Sequence, residues 1–147
     1  MKITMSVDID APLDHVFDLV DDPEKTKLWM ESLEDTFFLT ERNPENPVGS
    51  RFSRRIRESG RVVEYEGEVT GYTYPTYLAF NIGNKDFTMA VSYRFSPADP
   101  GTRLDFECDT AMHSTVARIM ETMFGWMTKS IIRKQITKLK EVAERLA

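Results

Sequence analysis

The chain has 147 residues, of which 41% are hydrophobic and 11% aromatic, and its formal net charge at pH 7 is -5. This length predicts one domain spanning residues 1–147, and the acidic balance argues against nucleic-acid binding, which needs a basic face. One cysteine, Cys108, excludes an internal disulfide and a cysteine-rich metal site. The sequence also lacks the apolar core of a signal peptide and any run approaching the roughly 18 residues of a membrane span. These features predict a cytoplasmic protein.

The first predicted elements are a strand and two short helices. Alternating apolar residues in KITMSVDI predict a half-buried strand. Pro12 suits the first turn of a helix, and Asp10 is a candidate cap just before it. Apolar residues at helical spacing over residues 13–20 predict a helix with one apolar stripe. Pro23 ends this helix, and a second short turn follows.

The segment GSRFSRRIRESGRVVEYEGEVTG predicts a β-hairpin, because the two residues Ser59-Gly60 separate two alternating runs. This loop sets the cross-strand pairs residue by residue. One face carries opposite charges, such as Arg55 opposite Glu64, and belongs in water. The other face is mostly apolar, with Ile56 opposite Val63, and belongs inside.

The rest of the chain predicts further strands and one long helix. LEDTFFLT is a weaker strand before the hairpin, and TYLAFNI, DFTMAVSYRF and RLDFECDTAM continue the sheet after it. Their in-out alternation is typical of an antiparallel sheet with one wet face, and one helix is predicted from about Thr115 to the end. Because a seven-stranded sheet with one apolar face needs a cover, we expect the long helix to cross its concave face and the short helices to close one end.

Four stretches in this order resemble the START-like (SRPBCC) superfamily, and most of all its polyketide cyclase/dehydrase and lipid-transport branch. They are VDIDAPLDHVFDLVDDPEKTKLW, GEVTGYTYPTYLAF, YRFSPADPGTRLDFE and the closing ITKLKEVAERL. The resemblance covers the whole chain. It implies an α+β helix-grip fold, Bet v 1-like, with a deep cavity between sheet and long helix and an apolar or amphipathic ligand. It does not imply one activity, because the superfamily includes both carriers and enzymes.

Alternation and helical spacing then predict which residues contact that ligand. No cofactor or metal is expected, because the two histidines have no metal-ligand spacing. The predicted ligand-binding residues are Phe52, Arg54, Tyr65, Phe80, Phe87, Met89, Val91, Tyr93, Phe106, Met120, Met123 and Met127.

Arg54 breaks the apolar inner face of the hairpin, and burying a guanidinium without partners is costly. Either a bulge lets Arg54 reach water, or Arg54 lines a wet cavity beside Tyr65. In the second case Arg54, Tyr65 and Tyr93 would form the polar end of an apolar pocket.

The long helix changes its apolar face along its length. Its second half has a stripe containing Ile132 and Ile136, which runs back through Thr128, Gly125 and Glu121 at about 100° per residue. The apolar residues of the first half centre roughly 150° away. The first half is therefore either kinked near Gly125 or stands off the sheet and leaves a cavity.

Other chemically active residues are predicted to be structural. His15 is expected on the surface, and His113 at the start of the long helix is either a local hydrogen-bonding group or an acid or base at the pocket mouth. Cys108 is expected inside as a small, unreactive core residue. The row of Glu64, Glu66 and Glu68 is expected to form a solvated charge ladder.

Three hypotheses follow for function. The first is non-covalent binding of a small apolar or amphipathic molecule, lipid- or polyketide-like. The second is a metal-free cyclase or dehydrase in which Arg54 and Tyr65 polarise a carbonyl; its catalytic residues are not otherwise indicated. The third is a protein-interaction module that exposes the apolar first half of the long helix, including Trp126, to a partner or to a second copy in a homodimer.

Overall fold

The computed structural model describes residues 1–147 as a seven-stranded antiparallel sheet with two short helices and one long helix. The strands are β1 (Lys2–Ile9), β2 (Leu33–Phe38), β3 (Arg51–Glu58), β4 (Arg61–Thr73), β5 (Tyr77–Gly83), β6 (Phe87–Pro97) and β7 (Thr102–Met112). The helices are α1 (Leu13–Asp21), α2 (Pro23–Thr26) and α3 (Thr115–Leu146). The strand order across the sheet is β1-β7-β6-β5-β4-β3-β2. The predicted fold class and element order are confirmed.

The β3–β4 hairpin has the predicted register throughout, with Arg55 opposite Glu64 and Ile56 opposite Val63. Ser59 and Gly60 both have positive φ, 49° and 79°, as a type I′ two-residue turn requires. This turn matches the twist of the two strands, which explains why the short loop fixes the pairing.

The short helices α1 and α2 lie at one end of the sheet. Side chains that follow α1 in the sequence hydrogen-bond to the carbonyl groups at the end of this helix. The Thr26 hydroxyl donates to the carbonyl oxygen of Leu19 at 3.2 Å, and the Trp29 indole N–H donates to the same oxygen at 2.6 Å. A helix end left without partners would be unstable inside the protein. The prediction that Asp10 caps α1 is wrong: the N-cap residue is Pro12, which makes no side-chain cap bond.

The second half of α3 packs on the concave face of the sheet through one stripe, as predicted. Ile136, Leu139 and Ala143 on this stripe are buried. His15 is part of this packing and not a plain surface residue, because its Nε2 lies 3.2 Å from the carbonyl oxygen of Ala143. The fold therefore fixes α3 firmly at its C-terminal half.

Candidate ligand cavity

A cavity of about 700 Å³ lies between the concave face of the sheet and the first half of α3. Strands β5, β6 and β7 contribute apolar side chains, including Phe80, Val91 and Phe106. The cavity also contacts α3 between Ala117 and Gln135. Glu58, at the tip of the β3–β4 hairpin, lines the cavity and is exposed, so the mouth lies between this hairpin and α3.

Nine of the twelve predicted residues line this cavity. They are Arg54, Tyr65, Phe80, Phe87, Met89, Val91, Tyr93, Phe106 and Met120. Their contact with a ligand stays a prediction.

The other three predicted residues lie elsewhere. Phe52 is buried under the guanidinium of Arg54, 5.5 Å from its ring centroid, and its ring packs edge-on against Phe80 at 5.7 Å. Met123 and Met127 are 58% and 43% exposed on the outer side of α3. The prediction that these three residues line the cavity is wrong. Phe52 is covered by longer neighbours, and the rotation of α3 directs the two methionines outward.

Arg54 points into the cavity without any bulge in its pairing with β4, where it lies opposite Tyr65. Its guanidinium carbon lies 5.0 Å from the ring centroid of Phe80 and 5.5 Å from that of Phe52. Its Nε is fully enclosed and has no hydrogen-bond partner. Burial lowers the pKa of Arg54, although arginine remains protonated in proteins.

The two tyrosines of the predicted polar end have separate roles. Burial raises the pKa of Tyr93 to about 12, while the charge of nearby Arg54 opposes this rise. The Tyr65 hydroxyl instead lies 2.8 Å from both carboxylate oxygens of Glu58 at the mouth. Burial and this hydrogen bond both raise the pKa of Tyr65. Of the three residues predicted for the polar end, Arg54 and Tyr93 therefore lie inside the cavity, and Tyr65 belongs to the mouth.

The first half of α3 forms one side of the cavity and exposes an apolar surface on the other side. The helix is continuous through Gly125, which is buried and faces the sheet, so the stripe predicted through this residue is confirmed. Facing away from the sheet are large apolar side chains that we call the outer face of α3. These are Val116, Ile119, Met123, Trp126 and Met127.

The other residues with reactive groups have structural environments. His113 is exposed, and its Nε2 lies 2.8 Å from the Thr88 hydroxyl in a local hydrogen bond. Cys108 is buried, and this burial raises the pKa of its thiol. Glu66 is paired with Arg51 at 3.2 Å on the wet face. No group of three or more His, Cys, Asp or Glu side chains could together hold a metal ion.

Several cavity residues were not predicted. Ile56, Thr110 and Met112 line the cavity, and the alternation of their strands already assigned them to the inner face. Phe124 and Ile131 also line it, but their contribution depends on the rotation of α3 about its axis. A further lining residue, Met30, follows α2 in a turn, where no periodic pattern indicates which side chains point inward.

The chain matches the model of the family described as polyketide cyclase / dehydrase and lipid transport over residues 1–144, and it belongs to this family. Among curated proteins, no match was found. None of the helices has the length and apolar composition that crossing a membrane requires.

Solved structures share the fold at low sequence identity. TTHA0849 from Thermus thermophilus is 15% identical over 100% of this chain and 99% of its own, with a TM-score of 0.78. A START superfamily protein from Mycobacterium smegmatis is 16% identical over 99% of both chains, with a TM-score of 0.76. Ara h 8.0201 is 11% identical over 95% of this chain and 97% of its own, with a TM-score of 0.68. These similarities establish the helix-grip fold.

Proposed function

We propose that this protein binds a small apolar or amphipathic molecule in the cavity between the sheet and α3, without covalent chemistry. The observation that supports this proposal is the cavity itself, whose volume of about 700 Å³ falls within the roughly 300–1,000 Å³ of small-molecule sites. Its lining is mainly aromatic and aliphatic. A surface of this kind favours a ligand that buries apolar area.

The experiment is a titration of the folded protein with an environment-sensitive apolar fluorescent probe, followed by displacement with decanol. We expect saturable binding of about one probe per chain. Val91→Trp, which enlarges a side chain in the cavity, should weaken binding, whereas Val62→Trp on the exposed face of the hairpin should not. Thermal melting checks that both variants fold, and Met120→Trp at the mouth is the second test variant. Absence of probe binding to the native protein would refute the proposal.

The cavity chemistry favours binding over a cyclase or dehydrase activity. Proton transfer needs a group whose pKa lies near the working pH, whereas burial raises the pKa of Tyr93 to about 12. Tyr65 already donates to Glu58. Neither His15 nor His113 lines the cavity. An enzyme would thus have a means of binding a carbonyl at Arg54, but neither the tyrosines nor the histidines favour the proton transfer that it needs.

A second role, contact with another copy of the chain, is favoured by the outer face of α3. Val116 and Trp126 on this face are 71% and 70% exposed, and a contiguous apolar surface of this kind is typical of an interaction site. Sedimentation velocity over a range of concentrations measures self-association directly. A homodimer that Trp126→Ser dissociates would support this role, with Val62→Ser as the control for loss of an exposed apolar side chain. A monomer at all concentrations would refute the homodimer.

A further inference from the structure

Arg54 carries a positive charge that no acidic group of the protein neutralises. No carboxylate lies within ion-pair distance of its guanidinium. Of the two carboxylates that line the cavity, Glu58 accepts from Tyr65, and Glu121 lies 3.7 Å from the N-terminal ammonium group of Met1. The cavity therefore contains a cation without its counter-ion.

Arg54 is half-buried with its Nε enclosed, and the aromatic rings beneath it offset only part of the cost of removing this charge from water. The faces of Phe80 and Phe52 attract the guanidinium from 5.0 and 5.5 Å. They accept no hydrogen bond in the plane of the guanidinium, and its Nε has no acceptor at all. Buried charges in proteins are normally paired and hydrogen-bonded. A planar acceptor with two oxygens would supply both the charge and the hydrogen bonds.

Tyr93 adds a donor close to the same position. Its ring stacks on that of Phe80 with 6.3 Å between the centroids, Arg54 lies over the same Phe80 ring, and a protonated phenol donates one hydrogen bond. Most of the other side chains that line the cavity are apolar, among them Val91, Phe106 and Met89. The region of the cavity wall around Arg54 and Tyr93 therefore carries a positive charge and several hydrogen-bond donors, whereas the lining as a whole is mainly apolar.

We infer that the ligand is an apolar molecule with one carboxylate group, which the guanidinium of Arg54 binds while the Tyr93 hydroxyl donates to the same group. This inference rests on the proposed function, since it names the chemical class of the molecule in that cavity. Neutral and cationic molecules of the same size are the disfavoured classes.

The test compares decanoic acid with decanol as competitors of the fluorescent probe at neutral pH. These two molecules have the same number of carbon atoms and differ in the head group, which is charged only in the acid. We expect the wild-type protein to bind the acid at least about tenfold more tightly than the alcohol, equivalent to about 1.4 kcal/mol. Arg54→Met should remove this preference by weakening only the acid, and Arg54→Lys should retain part of it because the charge remains. Arg94→Met removes an exposed arginine and should change neither affinity.

The outcomes separate this inference from the proposed function. If neither decanoic acid nor decanol displaces the probe from the wild-type protein, and the probe itself does not bind, the proposed function fails. If both displace it with equal affinity, the cavity binds ligands but the carboxylate inference is overturned. An equal loss for acid and alcohol in a folded Arg54→Met protein overturns it as well. Should Arg54→Met not fold, Tyr93→Phe must selectively weaken the acid, and a failure to do so overturns the inference.

Discussion

The sulfur atom of Met1 lies 3.1 Å from the position that a Cβ atom on Gly125 would occupy. Apart from the Met1 methyl carbon at 3.8 Å, no other atom from outside the local helix comes within 4 Å of this position. Glycine costs a helix interior roughly 1 kcal/mol relative to alanine. The only neighbour of this position is therefore the flexible end of the Met1 side chain, and Met1 itself lines the cavity.

Two substitutions at Gly125 should therefore have different effects, one on the stability of α3 and the other on ligand binding in the cavity. In Gly125→Ala, the flexible Met1 side chain moves by a few tenths of an ångström, and we expect the free energy of unfolding to rise by roughly 0.5–1 kcal/mol. In Gly125→Leu, the larger side chain must displace Met1 towards the cavity, so probe binding should weaken while stability stays within about 1 kcal/mol of wild type. Urea unfolding and probe titration measure both quantities.

The alanine variant is the control for the leucine variant, because it changes helix propensity without filling space. A loss of more than about 2 kcal/mol in Gly125→Leu would mean that the core at this point cannot adjust. Unchanged probe binding in that variant would contradict the assignment of Met1 to the cavity wall.

Tyr72 provides a prediction about alkaline pH. Its hydroxyl donates to Asp21 at 2.8 Å, and burial together with this bond raises its pKa from 10.0 to about 12. Because the folded protein holds this proton more tightly, the stabilisation is fully present below pH 10 and is lost as the pH rises from 10 through about 12. At pH 8 the free energy of unfolding of the wild type should exceed that of Tyr72→Phe by about 1 kcal/mol. This difference should disappear at higher pH.

Urea unfolding of both proteins at several values between about pH 8 and pH 12 measures this gap. The phenyl ring of the variant keeps the edge-on contact of Tyr72 with Phe17, at 5.5 Å between ring centroids. The comparison therefore isolates the hydroxyl group. A gap that stays constant across this whole pH range would contradict the role of this hydrogen bond.

The buried thiol of Cys108 should be protected in the folded protein. The side chain has no exposed surface, and burial raises the pKa of its thiol, which lowers the fraction of reactive thiolate. We expect a maleimide reagent at neutral pH to label native protein far more slowly than protein in denaturant, where labelling reaches one per chain. Rapid labelling of the native protein would mean that β7 opens readily, and it would contradict the inert role predicted for this cysteine.

Local sequence patterns predicted most of the fold, because the turn residues, the alternation of apolar residues and the helical spacing all favour the same structure. The turn at Ser59-Gly60 sets the hairpin register, and that register places Arg54 opposite Tyr65 with no tertiary information. The inner faces of β6 and β7 followed from alternation alone. These are relationships between residues close in sequence or paired by one short loop.

The cavity lining on α3 could not be predicted in the same way. Helical spacing identifies a buried stripe through Gly125 but not how far the helix lies from the sheet, which depends on side chains distant in sequence, such as Met1. Met123 and Met127 were therefore assigned to the cavity although they lie on the outer face of α3. The partner of Tyr65 was missed for a different reason: alternation along β3 puts Glu58 on the same face as Arg54 and Ile56, but no face was assigned to this last residue before the turn.

Replacing Arg54 should show what its uncompensated charge costs the folded protein. In Arg54→Met, an apolar side chain takes its place over Phe80 and Phe52, and no group loses an ion-pair partner. Removing a half-buried charge that lacks an ion-pair partner should leave the free energy of unfolding unchanged or raise it by up to roughly 3 kcal/mol. The matched control is Arg94→Met. The exposed guanidinium of Arg94 lies 4.4 Å from the ring centroid of Tyr77, and its removal should lower the free energy of unfolding by less than about 1 kcal/mol. Urea unfolding without ligand measures the free energy of unfolding of both variants. A marked destabilisation of Arg54→Met would show that the guanidinium stabilises the core, and it would contradict the view that this charge lacks a partner until a ligand binds.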